Sequence, residues 1–547
     1  MKVKVVSNGA TFFFLLLLLR STVYMWRLIL ILLILAGNPV ISLVAQHPSG
    51  SNYADKPLRI EIPARSVNET YRIIPCGTNG IIVFFRSQEA ADEARTNWYF
   101  TCYDTNFQQL WVKSVPLYND QDYRFHQKGS DTTALLFVHT GKTRNTENAY
   151  EILRIVPQNG TLILNTGKLE IGDVVEVFRV HKGRAWLGVN SKGLAGKIVT
   201  ISLKEGINKN FALGNGSQIS VLWLLPDTLS VTVSAIVSRQ VSKKSIEYYL
   251  VRYDTNGLIR REVLINTQTN DRTLNRVTVT KPDNGIELLL GIYGQGVAAS
   301  SQKNPSTGES TGLFGVSITN GVQKAINFYN FLELKSADAI VGENDIMALK
   351  KKALKKKKSL TEYSLDFSVL LHETIFFNDQ SILTAEIYSP QYHTESFTDF
   401  DFYGRPYTNS YSVFDGYRFF NAIVAGFDTQ GKLLWDNNIE IRNLVSLDLS
   451  PKVVTYPNGK ELMLCYVSDG KIGSKIIQGN DVIEKLDFTT LDGLYPDDKV
   501  LAETKGLLSY WYGNYFLSYG YQEIKNIALE NNNKRLVFYF SKLRFEK

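Results

Sequence analysis

The chain has 547 residues, 12% of them aromatic, with 29 Tyr and 29 Phe against 4 Met. That length exceeds one ordinary core, and the composition suits strands better than helices. The formal charge is +7, but Lys2, Lys4, Arg20 and Arg27 sit in an N-terminal leader. Setting them aside leaves about +3, which gives no case for nucleic-acid binding.

The leader, 1–45, holds two apolar runs, 12–19 and 28–36, separated by Arg20 and Arg27. Each is far short of the roughly 20 residues that span a bilayer. From Met25 the order is Arg27, an apolar run, Gly37-Asn38-Pro39 and Val44-Ala45-Gln46. This is the pattern of a secretory signal peptide over 25–45 cut after Ala45, with 1–24 as an upstream extension. The expected location is therefore periplasmic, outer-membrane-associated or extracellular, with no membrane span in the mature chain. An uncleaved N-terminal anchor is the alternative. Three Cys (76, 102 and 465) supply no disulfide framework, so free thiols are expected, with a Cys76–Cys102 pair as the alternative.

From residue 58 the chain reads as strand after strand in groups of four. The recurring unit is a strand, a turn built on Asp, Asn and Gly, and a departing strand: Tyr103-Asp104-Thr105-Asn106, Tyr253-Asp254-Thr255-Asn256-Gly257 and Phe427-Asp428-Thr429-Gln430-Gly431. Asp caps such a turn through the backbone and Gly supplies positive φ. Turn positions Phe107, Gly160, Gly206, Gly257, Gly321, Gly431 and Asn480 are spaced by 53, 46, 51, 64, 110 and 49 residues, close to the period of four-stranded propeller blades except where insertions fall. The reading is an all-β propeller of eight four-stranded antiparallel blades over 58–547: 70–117, 123–169, 174–213, 218–265, 274–331, 365–441, 449–491 and 507–545. Seven blades is the runner-up and an open solenoid the third choice. The last group has three clear strands, and 58–62 has no group of its own, so pairing the two closes the ring.

Ala425-Gly426-Phe427-Asp428-Thr429-Gln430-Gly431-Lys432-Leu433-Leu434-Trp435 resembles the Asp…Gly-Lys-x-x-Trp repeat of quinoprotein-like (PQQ-repeat-like) propellers, including outer-membrane assembly factors. The resemblance is partial in two further blades. One residue fewer separates Asp from Gly than in that family, most blades lack the Trp, and no quinone-binding positions match, so it implies a fold but no cofactor.

Antiparallel parity sorts the connections by rim: first-to-second and third-to-fourth turns share one, while second-to-third connections and blade linkers share the other. The first set is short. The second is long, 87–96, 140–148, 294–311, 388–417 and the linker 333–363, and long loops on one rim are where recognition resides. The linker is expected to carry a short basic helix from Asp345 to Leu354 followed by Lys355, Lys356, Lys357 and Lys358, whose functional reading is weak contact with an anionic surface. The loop 388–417 carries Tyr392, Phe397, Tyr403 and Tyr407 among Asp399 and Asp401. Tyr and Phe give stacking planes and the carboxylates accept hydrogen bonds, a chemistry that fits a sugar or peptide chain.

Catalytic signatures are absent from the sequence. The six His (47, 126, 139, 181, 372 and 393) show no metal spacing. Gly294-Gln295-Gly296-Val297-Ala298-Ala299 leads into a polar loop rather than the helix a dinucleotide site needs, and Asp399 to Ser410 fails as a calcium loop. The sequence thus points to an exported, non-enzymatic propeller binding a protein or glycan through its long-loop rim, without metal or cofactor. A carbohydrate-active, glycosidase-like propeller is the alternative, although Asp399 and Asp401 are sequence neighbours and nothing fixes a productive separation between them.

Overall fold

The computed structural model describes residues 2–5 and 58–546, apart from 140–147, 192–194, 215–217, 228–229, 243–244, 270–271, 284, 296–308, 343–346, 350, 353–354, 356–364 and 529–533. Eight antiparallel sheets succeed one another along the chain. The first consists of Arg72–Pro75, Ile81–Ala90, Arg95–Tyr103 and Gln109–Tyr118, hydrogen-bonded in that order. Six more follow the same plan. The eighth has Lys499–Tyr512, Tyr515–Lys525 and Lys534–Glu546, and its fourth strand is Arg59–Pro63, paired from Arg59 opposite Ser541 to Pro63 opposite Val537. The protein is an eight-bladed β-propeller whose N-terminal strand completes the last blade, so the seven-blade and open readings fall.

Packing explains why strands in the middle of a blade are apolar on both faces. Each blade is stacked between two others, so Ile81, Ile82, Val83 and Phe84 are all buried although consecutive residues point to opposite sides. The core is correspondingly divided into interfaces between neighbouring blades. One cluster joins Phe84, Trp98 and Phe100 of the first blade to Leu135, Phe137 and Leu153 of the second. The ring is completed by a cluster joining Ile60, Ile62, Phe538, Phe540 and Trp511 to Ile73, Ile81, Tyr103 and Phe107 of the first blade. Trp511 donates its indole N–H to the Gly80 carbonyl across that seam at 2.9 Å.

The repeated turn is a backbone cap that also spaces the blades. Asp428 Oδ1 accepts the backbone N–H of Gln430 and of Lys432, each at 2.8 Å. Asp254 and Asp104 do the same for Asn256 and Leu258, and for Asn106 and Gln108. The left-handed position is Gly431 or Gly257, and in the first blade Phe107, at φ +60°. Phe107 tolerates it because its ring is buried against Trp511 and Phe540 at the seam. The turn glycine of one blade also lies under the outer strand of the blade before it: a Cβ on Gly257 would come within 2.5 Å of Phe211, and one on Gly160 within 2.8 Å of Trp111. The Gly in the repeat therefore serves conformation and blade approach together.

Three expectations change. Residues 388–417 are not an irregular loop: Gln380–Phe400 and Pro406–Phe427 form one continuous hairpin of 21 and 22 residues, because alternating Thr, Ser and aromatic residues suit strands even without a core beneath them. The connection 87–96 is likewise mostly strand. The linker after the fifth blade begins with a capped turn at Phe331–Glu333 and a helix at Ala337–Val341, neither of which was anticipated. Met347 to Leu349, Lys351, Lys352 and Lys355 are helical as expected; Lys356, Lys357 and Lys358 lie outside the described residues. Of the leader, Lys2–Val5 is a strand beside Leu543 to Glu546, and 6–45 is outside the described residues. Cys76, Cys102 and Cys465 are free.

Candidate functional site

The hairpin of the sixth blade leaves the body of the propeller beyond Tyr388 and Phe419, the last fully buried cross-strand pair. The twelve residues from 389 to 400 carry it about 40 Å outward at about 3.3 Å per residue. An aromatic column fixes its base: Phe419 and Tyr388 in the core, then Tyr417, Phe414 and Tyr392, with successive ring centres 5.8, 5.4, 5.0 and 5.5 Å apart. The linker packs against the third and fourth strands of the same blade. Asn421, on the returning strand of the hairpin, donates to the Ala339 carbonyl at 3.1 Å, and Asp436 accepts the backbone N–H groups of Lys335 and Ser336 at 3.0 and 2.8 Å. Leu349 of the basic helix packs against Leu332 and Ala337.

Cross-strand register gives the ribbon two different faces. One pairs Tyr392 with Phe414, Thr394 with Ser412, Ser396 with Ser410, Thr398 with Thr408 and Phe400 with Pro406, a strip of hydroxyls between aromatic ends. The other pairs His393 with Val413, Glu395 with Tyr411, Phe397 with Asn409 and Asp399 with Tyr407. On this face His393 Nδ1 lies 2.5 Å from Asp415 and Nε2 lies 3.3 Å from Glu395, the hydroxyl of Tyr411 donates to Glu395, and that of Tyr407 donates to Asp399 at 3.2 Å. A neutral imidazole donates from one nitrogen only, so serving both carboxylates favours the imidazolium and raises its pKa. The sign follows: this cross-strand clamp is present below the ordinary His pKa and is lost as pH rises through the raised value. An NMR titration of His393 is expected to give a midpoint above 6.5, and Asp415→Asn is expected to bring it back toward that value; an unshifted midpoint in the parent protein refutes the clamp.

The sequence candidates divide accordingly. Tyr392, Phe397, Tyr403 and Tyr407 are exposed on the ribbon, with Phe400, Phe402, Tyr411 and Phe414. Phe402 and Tyr403 at the tip are 98% and 79% exposed. Asp401 is a turn cap: its Oδ1 accepts the N–H of Tyr403 and Arg405 at 2.9 and 2.8 Å, with Gly404 left-handed. That is the Asp428 turn again, and the spacing Asp401-Phe-Tyr-Gly404-Arg405 against Asp428-Thr-Gln-Gly431-Lys432 carried the signal. Asp399 accepts from Tyr407 and from the N–H of Phe400, so both carboxylates are engaged by donors of the ribbon itself. Lys355 is exposed. The grouping of His393 with Glu395 and Asp415 was not anticipated from the sequence.

Further down, the channel is bridged. Arg179, on the inner strand of the third blade, pairs with Glu373 of the sixth at 2.8 Å, and Thr374 meets Thr278 of the fifth at 2.5 Å. Among the described residues no group of three or more His, Cys, Asp or Glu side chains is placed to hold a metal ion, and no helix is long and apolar enough to cross a membrane.

Among solved structures the chain is similar to the polysaccharide lyase Uly1, at 8% identity over 77% of this chain and 89% of that one, TM-score 0.36. It is similar to the β-propeller domain of the Trilobed protease from Pyrococcus furiosus, at 6% identity over 76% and 98%, TM-score 0.32. Prolyl endopeptidases match at 8% identity over 84% of this chain and 54% of theirs, TM-score 0.35. Likeness at this level attaches no chemistry to the chain. No family model and no curated protein matches it, so the quinoprotein-like resemblance stays a likeness of repeats.

Proposed function

We propose that the protein is an exported binding propeller that captures a protein or glycan partner on the rim bearing the ribbon 389–416, without acting on it chemically. The observation that carries this reading is eight exposed large aromatic side chains on a ribbon anchored by its own aromatic column. Protein surfaces rarely expose so many large aromatic side chains on one projecting element unless it meets a partner, and aromatic side chains are the usual anchors of interfaces. The carboxylates beside them are engaged by donors of the ribbon itself, which orients the rings rather than freeing an acid and a base. Export through the leader 25–45 belongs to the same proposal.

Replacing 391–415 by an Asn-Gly turn tests it. Because these residues contribute little to the core, the melting temperature should stay within a few degrees. Binding to a panel of glycans and envelope proteins should be lost, and Phe402→Ser with Tyr403→Ser should weaken it about 30-fold or more, the effect of removing interface anchors worth about 2 kcal/mol. A trimmed protein that keeps every interaction of the parent overturns the assignment.

A further inference from the structure

The ribbon of the sixth blade is a two-stranded sheet with an open edge. Within the body of the propeller its outgoing strand, Gln380–Phe400, is flanked on one side by Phe367–Leu371 and on the other by the returning strand, Pro406–Phe427. The inner pairing ends at Ser368 opposite Tyr388. From Ser389 to Phe400, among the described residues, only the returning strand is paired with the outgoing one, and residues 392–400 are all exposed.

Hydrogen-bond phase decides which backbone groups this edge presents. The Asp401 N–H donates to the Arg405 carbonyl at 3.0 Å, so these two residues face each other across the ribbon. Inward-facing and outward-facing residues alternate in an antiparallel pair, and the register runs without a shift from Tyr392 opposite Phe414 to Phe400 opposite Pro406. His393, Glu395, Phe397 and Asp399 therefore direct their backbone groups into the ribbon. Tyr392, Thr394, Ser396, Thr398 and Phe400 direct theirs outward, at intervals of about 6.6 Å. The Phe400 N–H is taken by the Asp399 carboxylate at 2.9 Å; the other four N–H groups and all five carbonyls are placed to meet another strand.

The two edges differ. Natural edges are blunted by Pro, Lys and bulges. On the returning strand Pro406 has no N–H to offer, and both register shifts of the hairpin put the extra residue there, Phe420 and Asp415. The outgoing edge from Tyr392 to Phe400 has no Pro, Lys or bulge.

Charge selects the occupant. Residues 389–416 carry four carboxylates, Glu395, Asp399, Asp401 and Asp415, against one guanidinium, Arg405, and protonation of His393 offsets only one of them. A second copy of the ribbon, or an acidic surface, would bring like charge to like. Lys and Arg side chains on an added strand instead meet Glu395 and Asp399, on the face where Tyr407 and Tyr411 are exposed and can take a cation over their rings. Taking the ribbon as the binding element, we propose that its outgoing edge, Tyr392 to Phe400, captures an extended basic segment of a partner protein as an additional β-strand. Main-chain hydrogen bonds then hold the segment, and its alternate basic side chains set the choice of partner.

Fluorescence anisotropy of the full chain with a labelled peptide of about ten residues alternating Lys and Thr tests this, against a peptide alternating Glu and Thr. The basic peptide should bind, and the acidic one about tenfold or more weakly. Ser396→Pro removes an outward N–H and should cost about tenfold or more, whereas Ser396→Ala, which keeps the N–H, should stay within about twofold. Ser410 stands opposite Ser396 on the other edge, so Ser410→Pro imposes the same backbone constraint on the ribbon and should also stay within about twofold. No binding of the basic peptide, equal binding of both peptides, full affinity in Ser396→Pro, or an equal loss in Ser410→Pro overturns the assignment. Sedimentation showing a dimer of the parent that Ser396→Pro dissolves overturns it in favour of a second copy. Interactions with the panel of glycans and envelope proteins that are lost on trimming 391–415 but kept in Ser396→Pro leave the ribbon as the binding element and overturn strand addition alone. Panel interactions kept by the trimmed protein overturn both.

Discussion

Deleting Arg59–Pro63 is expected to make the protein aggregate or melt far lower than the parent. The five-residue strand covers Val537 to Ser541 of the last strand, and without it that strand offers an open row of backbone donors and acceptors in the middle of a hydrophobic blade. Ile60 and Ile62 are buried at the seam; at about 1.5–3 kcal/mol each, their loss alone removes about 3–6 kcal/mol, a large part of the 5–15 kcal/mol that typically holds a native fold. The double variant Ile60→Asp with Ile62→Asp keeps the chain length and should behave similarly, which separates loss of packing from the effect of shortening. Sedimentation and thermal melting give the readout, and a deletion protein that stays monomeric with the parent's melting temperature refutes closure by this strand.

Arg535→Met is expected to cost about 3–5 kcal/mol near neutral pH, the effect of breaking a buried ion pair from one side. Arg535 donates to both oxygens of Asp498 at 3.0 and 2.6 Å and, through Nε, to Glu61 of the closing strand at 2.9 Å. Glu61 also accepts from Arg59 at 2.8 Å, and Arg59 continues to Gln522 at 2.8 Å. All four charged side chains are largely buried, so removing Arg535 leaves two carboxylates in the interior with one cation between them. Burial alone pushes Asp498 up, but hydrogen bonds from Arg535, the Tyr495 N–H and Asn526 hold it below the ordinary carboxylate value. A depressed folded pKa contributes stability that is present above the unfolded value, about 3.9, and is lost as pH falls through the folded one. The deficit of the variant should therefore be full at neutral pH and shrink below about pH 4. Urea denaturation at both pH values measures it, and a deficit independent of pH points to lost packing instead.

The repeat was readable because every blade solves the same local problem. An Asp cap, a left-handed Gly and flanking apolar strands are short-range chemistry, so Asp104, Asp254 and Asp428 marked their hairpins and the spacing between them gave the blade boundaries to within a few residues, apart from the eighth, whose inner strand begins at Lys499. The missing strand of the last blade was also legible, since Leu58 to Ile62 alternates like a strand and has no neighbours of its own in sequence. What misled the reading at 388–417 was density: aromatics every second or third residue looked like a loop seeking burial. Yet Tyr392, Thr394, Ser396, Thr398 and Phe400 alternate with His393, Glu395, Phe397 and Asp399 at the period of a strand, and Asp401 to Arg405 repeats the turn already recognised elsewhere.

Sequence by itself determined the blade, because a blade is built from hydrogen bonds and side-chain alternation between residues within about 50 positions of one another. It determined the rim as well, since antiparallel parity follows from counting strands. The tertiary structure decided the rest. Only closure brings Arg72 of the first blade to within 4.0 Å of Asp448, at the entry to the seventh, and only cross-strand register sets His393 between Glu395 and Asp415. Charge and burial at such places depend on distances across the ring, and no local pattern in the chain encodes a distance between blades.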